Sequence, residues 1–433
     1  MKRTLKRIGT LLAAMLLAIA FILPGAGAEA SAPVFQITDQ FTSRDMNQEA
    51  DLSDVVTYTV ADGEDIHITS AGVYVLTGTA SGVTVYVEAG SDDKVQLVLD
   101  GVSITNTDFP CIYVTEADKV FVTVSAASSL AVTGTFRADG STNTDGAIFS
   151  KQDLVLSGTA EVTVSSTDNG VVCMDDLKIT GGTWTINAQS KAIEANDSIR
   201  VAGGTLNLTA GTDGLHAEND DDDSLGYIYI ADGAITVQAG DDGVHATSVL
   251  QIDGGTLQVT AAEGLEATYI QINGGAITLS ASDDGINAGS KSSAYSVLIE
   301  INGGEISVST GAGDTDGIDS NGNIVINGGT VTMNGNASFD YDGTGVINGG
   351  TVTVGGQTYT SGSLPNQMMG GGFGRGGWGG FGSGNGNFGN QQGGTDGQSG
   401  FGGPQGEANG QGSFGGPGGF GGGHGGFGGG GRR

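Results

Sequence analysis

A Gly-Gly turn followed by a small residue and a short strand recurs along the chain with a period of roughly 20–30 residues. The turns, one of which is Asp-Gly, end at Gly182, Gly204, Gly233, Gly255, Gly275, Gly304, Gly329 and Gly350. The runs after them alternate aliphatic and polar residues, as at 276–279, and no helical periodicity competes. A fixed period without intervening helices indicates a solenoid. Several short strands in each turn indicate an all-β, right-handed parallel β-helix.

The two ends of the chain differ from this repeat. Residues 1–28 begin with basic residues and continue with an apolar run over 11–23, which predicts a secretory signal peptide. We therefore expect an extracellular protein, either secreted or associated with the cell surface, that does not insert into a membrane once this segment is removed. We interpret residues 29–60 as an N-terminal lead-in or cap and 61–360 as the β-helix. Residues 361–433, rich in Gly and aromatics, are predicted to be a disordered tail.

Composition limits the partners and the covalent links of the chain. The sequence has 48 acidic and 16 basic residues, a formal net charge of −32. Binding of nucleic acid through its phosphates is therefore not expected, and a divalent cation would relieve the self-repulsion. Cys111 and Cys173 both lie in apolar, strand-like contexts, which predicts buried free thiols rather than a disulfide.

A second motif accompanies the first and reads acidic, Gly, aliphatic, polar, then Ala or Ser. The Gly is predicted to permit a bend with positive φ, and strand alternation then places the acidic and polar residues outward. Stacked turns therefore predict two outward columns. The first column is Asp213, Asp242, Glu263, Asp284 and Asp316, and the second is His216, His245, Glu266, Asn287 and Asp319.

The polar double column is predicted to run only from about Lys191 to Asp319. Earlier turns have apolar residues, Ile148 and Val172, in the second column, which favours a scaffolding role for them. Insertions at 218–224 and 289–296 follow the motif at the same place, so we expect them to project on one side and wall a groove.

The carboxylates of the two columns predict a calcium site. Carboxylates on neighbouring turns lie about 4.8 Å apart, and Ca²⁺ takes oxygen ligands that two turns could share. The predicted ligands are Asp213, Asp242, Glu263, Asp284, Asp316, Asp319, Asp220 and Asp222. The alternative is that Asp-Gly is favourable turn chemistry on a solvated face. A further possibility is a transition metal on His216 and His245, with Glu266 as third ligand.

The order of these segments resembles a known family. Residues 72–78, 95–104 and 177–182, followed by the Asp-Gly turns, are similar to the secreted bacterial carbohydrate-binding β-helix family, whose studied clostridial member folds like pectate lyases. The resemblance covers about residues 35–355. It implies calcium held by Asp-rich turns and binding of cellulose and of pectin-type acidic polysaccharide, and it implies no demonstrated catalysis.

Three functions remain open from the sequence. The first is a secreted, non-catalytic protein that binds plant cell-wall polysaccharide. Its predicted substrate-binding residues are Lys191, His216, His245, Glu266, Asn287 and Tyr227. Trp184 is either a further exposed aromatic or part of the core. The second is a calcium-dependent pectate lyase, in which Lys191 is the candidate base unless it forms an ion pair with Asp213. The third is a structural or adhesive surface protein whose tail provides the adhesion.

Overall fold

The computed structural model describes residues 40–311 and 315–365. The predicted signal peptide and all but the first few residues of the predicted tail lie outside these ranges. The described chain forms 35 β-strands, most of them parallel to their neighbours. Within these ranges no helix is long and apolar enough to cross a membrane. The prediction of an all-β parallel β-helix is confirmed.

Each turn of the β-helix passes through three parallel sheets, which we call A, B and C in the order that the chain visits them. Four strands bend from one sheet into the next: β3 (Gly72–Ser81) and β5 (Lys94–Asn106) pass from A to B, and β21 (Asp242–Ile252) and β23 (Glu263–Ile272) pass from C to A. These bent strands join the sheets into one hydrogen-bonded system.

Sheet A contains the bent strands and the following: β1 (Val55–Thr59), β7 (Lys119–Ala126), β10 (Asp153–Gly158), β13 (Asp176–Ile179), β16 (Ser198–Val201), β19 (Tyr227–Ile230), β26 (Leu298–Ile301), β29 (Asn323–Ile326), β32 (Gly345–Ile347) and β35 (Gly362–Ser363). Sheet B contains the second halves of β3 and β5 and the following: β8 (Ser128–Val132), β11 (Glu161–Ser166), β14 (Thr183–Ala188), β17 (Thr205–Ala210), β20 (Ala234–Gln238), β22 (Thr256–Ala261), β24 (Ala276–Ala281), β27 (Glu305–Thr310), β30 (Thr330–Gly335), β33 (Thr351–Val354) and β34 (Gln357–Tyr359).

Sheet C contains the first halves of β21 and β23 and the following: β2 (Ile66–Ile68), β4 (Val85–Glu88), β6 (Ile112–Glu116), β9 (Gly146–Ser150), β12 (Asn169–Cys173), β15 (Ile193–Ala195), β18 (Leu215–Ala217), β25 (Ile286–Ala288), β28 (Ile318–Ser320) and β31 (Phe339–Tyr341). The last strands close the described end, because β34 and β35 turn back antiparallel on β33 and β32. Leu364 then packs into the core, so the described fold continues past residue 360.

Inward side chains of the three sheets form one continuous core of Val, Ile, Leu and Ala. In-register pairing stacks apolar side chains of successive turns on one another. Trp184, for example, lies between Val162 and Leu206 on neighbouring strands. The Trp184 side chain is fully buried and its indole N–H donates to the Gly181 carbonyl, so this aromatic belongs to the core. Cys111 and Cys173 are buried free thiols, as predicted.

Glycine is required in the two motifs for different physical reasons. The turn glycines have positive φ, for example 93° at Gly275, as expected of a Gly-Gly turn. The glycines of the Asp-Gly motif do not, and the prediction of a positive-φ bend there is wrong. At Gly243, an added Cβ would lie 2.6 Å from the Gly264 carbonyl oxygen and would also strike Val259. This glycine is needed because the strand lies against the core without room for a side chain.

Residues 40–50, which we call the strap, lie along the outer face of sheet A rather than over the end of the helix. The Phe41 ring packs beside Tyr229 of β19, and the Asp45 carboxylate accepts from Lys178 of β13 at 2.9 Å. Gln48 accepts from the backbone N–H of Gly158 in β10. The strap thus crosses several turns and covers part of sheet A.

Candidate functional site

Strand register places the predicted columns on the outer side of sheet C. The second column follows the pairs His216–His245, His245–Glu266, Glu266–Asn287 and Asn287–Asp319, and it continues to Asp340. In the first column Asp242 pairs with Glu263. The carbonyls of Asp284 and Asp316 accept from the glycine N–H groups of the preceding turns, which places these residues beside them. Asp213 is placed there because the N–H of the following Gly214 donates to the Asp242 carbonyl. The predicted alignment of the turns is therefore confirmed.

These side chains point away from the core, yet several of them are buried. Asp213, His216, Asp242 and Glu266 are all at most 7% exposed, because neighbouring column residues and their partners cover them. Glu263, His245, Asn287, Asp316 and Asp319 are half-buried. The column is consequently a partly enclosed polar layer rather than an open row of solvated side chains.

The most enclosed part of the column is a cluster of acidic residues and histidines. His245 Nδ1 lies 2.7 Å from both Asp242 Oδ2 and Glu266 Oε2. Its ring stacks on that of His216 with 4.6 Å between centroids. His216 in turn lies 2.9 Å from Asp213 and 3.1 Å from Glu218.

Burial and neighbouring charges shift the pKa values of His245, Glu266 and Glu263. Burial lowers the pKa of His245, but its hydrogen bonds to Asp242 and Glu266 outweigh burial and raise the pKa to about 9. Burial opposes ionisation of Glu266, but hydrogen bonds from His245 and Lys291 bring its pKa down to about 2. Burial raises the pKa of Glu263 to about 7, with repulsion from Glu266 adding to the shift. Around His245, the carboxylates of Asp242 and Glu266 are therefore paired with the imidazole and with the Lys291 ammonium.

Some first-column carboxylates brace one turn against the next. Asp213 accepts from the backbone N–H of Asp242 at 3.1 Å, and Asp284 accepts from that of Asp316 at 2.7 Å. Asn169 does the same for Lys191 at 3.0 Å. These carboxylates therefore have a structural role, whether or not they also bind a ligand.

Among the residues that the structure describes, the end of the column near residue 319 offers only oxygen atoms as possible metal ligands. Burial raises the pKa of Asp319 to about 6, together with repulsion from Asp284, Asp340 and Asp316. The Ser338 hydroxyl donates to Asp316. Asp319 thus lies on a partly buried end of the column where the charges of three carboxylates on nearby turns act on it. Carboxylate oxygens are the ligands that Ca²⁺ prefers.

The two predicted insertions project on the same side and touch each other. Ser292 donates from its hydroxyl to the Asp223 carbonyl at 2.5 Å, and Ser293 contacts the Asp223 carboxylate. They therefore form a bridge rather than two separate walls. From the second insertion Lys291 reaches Glu266 at 2.6 Å. Asp220 and Asp222, predicted as calcium ligands, are exposed on the first insertion and are not part of either column.

Two predicted substrate-binding residues have other partners. Lys191 forms an ion pair with Glu194 at 2.6 Å, so the expected alternative pair with Asp213 is not the one formed. Tyr227 belongs to sheet A, where the Arg200 guanidinium lies 5.3 Å from its ring centroid and its hydroxyl donates to Gln40 of the strap. The structure does not bring Tyr227 together with the columns.

Earlier turns of sheet C bear an apolar continuation of the second column. Register aligns Tyr113, Phe149 and Val172 with Glu194, and these side chains pack with Phe109 in a small second core. The column residue of that turn is Phe149, whereas Ile148, which was predicted there, points into the main core. The prediction was out of step by one residue, which reverses the face in a strand.

A second acidic group was not predicted from the sequence. Asp153, Asp175 and Asp176 offer carboxylate oxygens that lie within 4.8 Å of one another. Lys119 and Arg200 approach this group, at 3.6 Å from Asp153 and 2.7 Å from Asp176. The sequence does contain a signal for this group, because acidic residues recur one turn apart at the start of these sheet A strands, outside the Asp-Gly motif.

Sheet B has an outer face of a different character, which we call the sheet B polar face. Its central row is Thr185, Asn207, Thr236, Gln258, Thr278, Ser307, Thr332 and Thr353. The adjacent row is Asn187, Thr209, Gln238, Thr260, Ser280, Ser309 and Asn334. Every member of both rows is an uncharged hydroxyl or amide, and those of β20, β22 and β24 are exposed.

Comparisons with known proteins show that this chain is similar to proteins described as carbohydrate-binding. A sequence model of the family described as carbohydrate-binding domain-containing proteins matches residues 62–317. A curated relative with that description from Acetivibrio thermocellus is 33% identical over 129 residues, which are 29% of this chain and 45% of the relative. The match thus spans about half the length of that relative. A solved polysaccharide lyase-like protein from C. thermocellum, a gadolinium derivative, is 26% identical, with 51% of this chain and 92% of that chain covered and a TM-score of 0.44.

Proposed function

The chain belongs to the family of carbohydrate-binding domain-containing proteins, and from this premise we propose that it binds polysaccharide without cleaving it. We propose that its ligands are plant cell-wall glycans, of the cellulose type and of the acidic pectin type. The protein would meet them outside the cell, in keeping with the signal peptide expected from the sequence.

The observation that carries this proposal is the sheet B polar face. Parallel strands in register space its side chains about 4.8 Å apart from turn to turn, so hydroxyl and amide groups repeat in a flat, regular array. An extended glucan chain also presents hydroxyl groups at regular intervals. Such a ligand could therefore form hydrogen bonds with several turns at once.

The charge distribution supports a neutral ligand on this face. The whole chain has a formal net charge of −32, yet the two rows are uncharged. Charged residues appear in sheet B only in the flanking row, as at Glu161 and Glu305. A neutral glycan could lie along the two rows without desolvating an ion, which would otherwise weaken binding.

For acidic polysaccharide we propose a calcium bridge at the end of the column. Asp284, Asp316, Asp319 and Asp340 are the oxygen donors of that end, and Ca²⁺ bound there would supply positive charge for a uronate. Asp213 and Asp242 are less suited, because His216 and His245 already lie against their carboxylates. The group at Asp153, Asp175 and Asp176 is a second all-oxygen candidate.

Binding without cleavage is proposed because the basic side chains near the column are engaged. Lys191 pairs with Glu194, and Lys291 pairs with Glu266, each at 2.6 Å. A base held in an ion pair is a poor acceptor for the uronate proton. Release of unsaturated uronide, followed by ultraviolet absorbance with polygalacturonate and Ca²⁺, would contradict this part of the proposal.

A pull-down on microcrystalline cellulose tests the sheet B polar face. The variant Thr236→Lys with Gln258→Glu adds two opposite charges on adjacent turns of that face and leaves the net charge unchanged. The matched control, Ser290→Lys with Asn321→Glu, adds the same charges at exposed positions outside sheet B. We expect the first variant to lose cellulose binding and the control to keep it. Equal binding by both would remove the face from the proposal.

A second pull-down on polygalacturonate tests the calcium bridge. We expect binding in Ca²⁺ that EDTA abolishes, and that Asp319→Asn weakens while cellulose binding persists. Binding that neither EDTA nor Asp319→Asn changes would reduce the acidic column to scaffolding. Failure to bind either polysaccharide would refute the proposed function as a whole.

A further inference from the structure

One imidazole nitrogen and two carboxylate oxygens meet at one point of the polar layer on sheet C. His245 Nδ1 lies 2.7 Å from Asp242 Oδ2 and 2.7 Å from Glu266 Oε2. Candidate ligand atoms of the three residues all lie within 4.8 Å of one another. We propose that these residues form a binding site for a divalent transition-metal ion, separate from any calcium site and not required for glycan binding.

The donor set decides the class of metal. Ca²⁺ takes oxygen ligands, six to eight of them, and an imidazole in the set is unfavourable for it. Imidazole with carboxylates suits Zn²⁺ and its first-row neighbours, which bind such nitrogens and oxygens at about 2.0–2.2 Å. The mixed set at His245 therefore differs in selectivity from the all-carboxylate groups elsewhere on the protein.

Surrounding contacts hold the carboxylates in place for a metal. Lys291 Nζ lies 2.6 Å from Oε1 of Glu266, which leaves Oε2 directed at His245. The backbone of Asp242 is fixed by its N–H bond to Asp213. Outer contacts of this kind orient metal ligands and raise affinity.

His216 lies beside the proposed site and is the second buried imidazole of the column. Its side chain is only 8% exposed, and its ring stacks on His245 at an interplanar angle of 13°. Its Nδ1 lies 2.9 Å from Asp213 but outside hydrogen-bonding geometry, so this buried nitrogen has no hydrogen bond. A buried nitrogen whose nearest polar neighbour lies outside hydrogen-bonding geometry is unfavourable. The buried His216 ring thus covers one side of the proposed site through its stacking on His245.

Cobalt titration of the full chain tests the site, with Co²⁺ as a visible probe. In excess Ca²⁺, we expect Co²⁺ to develop visible absorption bands that saturate and that Zn²⁺ removes. His245→Gln should abolish the bands. The matched control is His67→Gln, since His67 begins the same column of sheet C but is 54% exposed and contacts only the single carboxylate of Glu88 among the ion pairs described. This control should keep the bands.

Two further variants keep the test decisive. Glu266→Gln should also abolish the bands, and it replaces His245→Gln if that variant does not give the β-sheet circular dichroism of the wild type. Lys291→Met should keep the bands but weaken Co²⁺ binding by about 10–100-fold, because it removes an orienting contact. Absence of the bands in the wild type, or their persistence in folded His245→Gln or Glu266→Gln protein, would overturn the proposal. Cellulose binding of all three variants should equal that of the wild type.

Discussion

A buried ion pair lies at the centre of the contacts that attach the strap to sheet A. The Asp45 side chain is 1% exposed and lies 2.9 Å from Lys178, whose side chain is 8% exposed, with Lys119 at 3.7 Å. Burial opposes ionisation of Asp45, but the Thr42 amide and the Lys178 ammonium lower its pKa below 3.8. Replacing Asp45 by Asn keeps the shape and leaves the Lys178 ammonium buried without its counterion.

The expected loss follows from the burial of both partners. Removing one member of a buried pair costs about 3–5 kcal/mol, because the remaining charge stays desolvated. The strap can relieve that cost by detaching, which exposes Lys178 to water. We therefore expect the loss to appear as local opening of the strap. A change of about 3 kcal/mol corresponds to an open population roughly 100-fold larger.

Trypsin cleavage after Arg44 measures this opening directly. In the closed strap the Arg44 guanidinium lies 4.5 Å from the centroid of the Phe121 ring and is held against the sheet. When opening is fast relative to cleavage, the cleavage rate follows the open population. Asp45→Asn should therefore be cut about 100-fold faster at this bond. The double variant Asp45→Asn with Lys178→Met should recover most of the protection, because the buried charge is gone.

Cleavage of Asp45→Asn within about threefold of the wild-type rate would refute this reasoning. It would also be refuted if the double variant were cut as fast as Asp45→Asn.

Acid provides a second check on the Asp45–Lys178 pair. Because the folded pKa of Asp45 is lowered, its stabilisation is present above the unfolded value of 3.8 and is lost as pH falls below it. Hydrogen exchange of the strap should rise in acid for the wild type and change less in Asp45→Asn.

Three more outcomes are expected from the structure. Gly243→Ala should lower the free energy of unfolding by about 1–3 kcal/mol, because the new Cβ meets the Gly264 carbonyl; an unchanged urea midpoint would show that the turn can relax. In metal-free protein, the stabilisation from His245 should be complete below about pH 6.5 and lost as pH rises through about 9, since its folded pKa is raised. Urea unfolding on both sides of that range should show a loss in the wild type that is absent in His245→Gln. Trp184→Ala should cost about 3–5 kcal/mol, and Trp184→Phe clearly less; equal effects would place the indole outside the packed core.

Most of the fold could be predicted from the sequence because its motifs repeat locally. In a solenoid each turn contacts its neighbours, so a motif repeated along the chain also repeats in space. That is why the order His216, His245, Glu266, Asn287 along the second column followed from the sequence alone. Strand alternation likewise separated the core residues from the outward ones, except where the motif was placed one residue out of step at Ile148.

Contacts between distant parts of the chain determine which outward residues are buried and which are paired. The strap covers sheet A from a separation of more than a hundred residues, and the two insertions meet across intervening turns. No periodic signal predicts such contacts. They determine that Lys178 is buried and that Lys291 reaches Glu266.

The sequence by itself determined a β-helix with an acidic column on one sheet and the spacing of its carboxylates. Only the tertiary structure decided which of those carboxylates are paired. Asp242 and Glu266 share His245, whereas Asp319 faces three other carboxylates. The physical reason is that pairing depends on side-chain reach and burial between turns, whereas spacing depends only on the backbone.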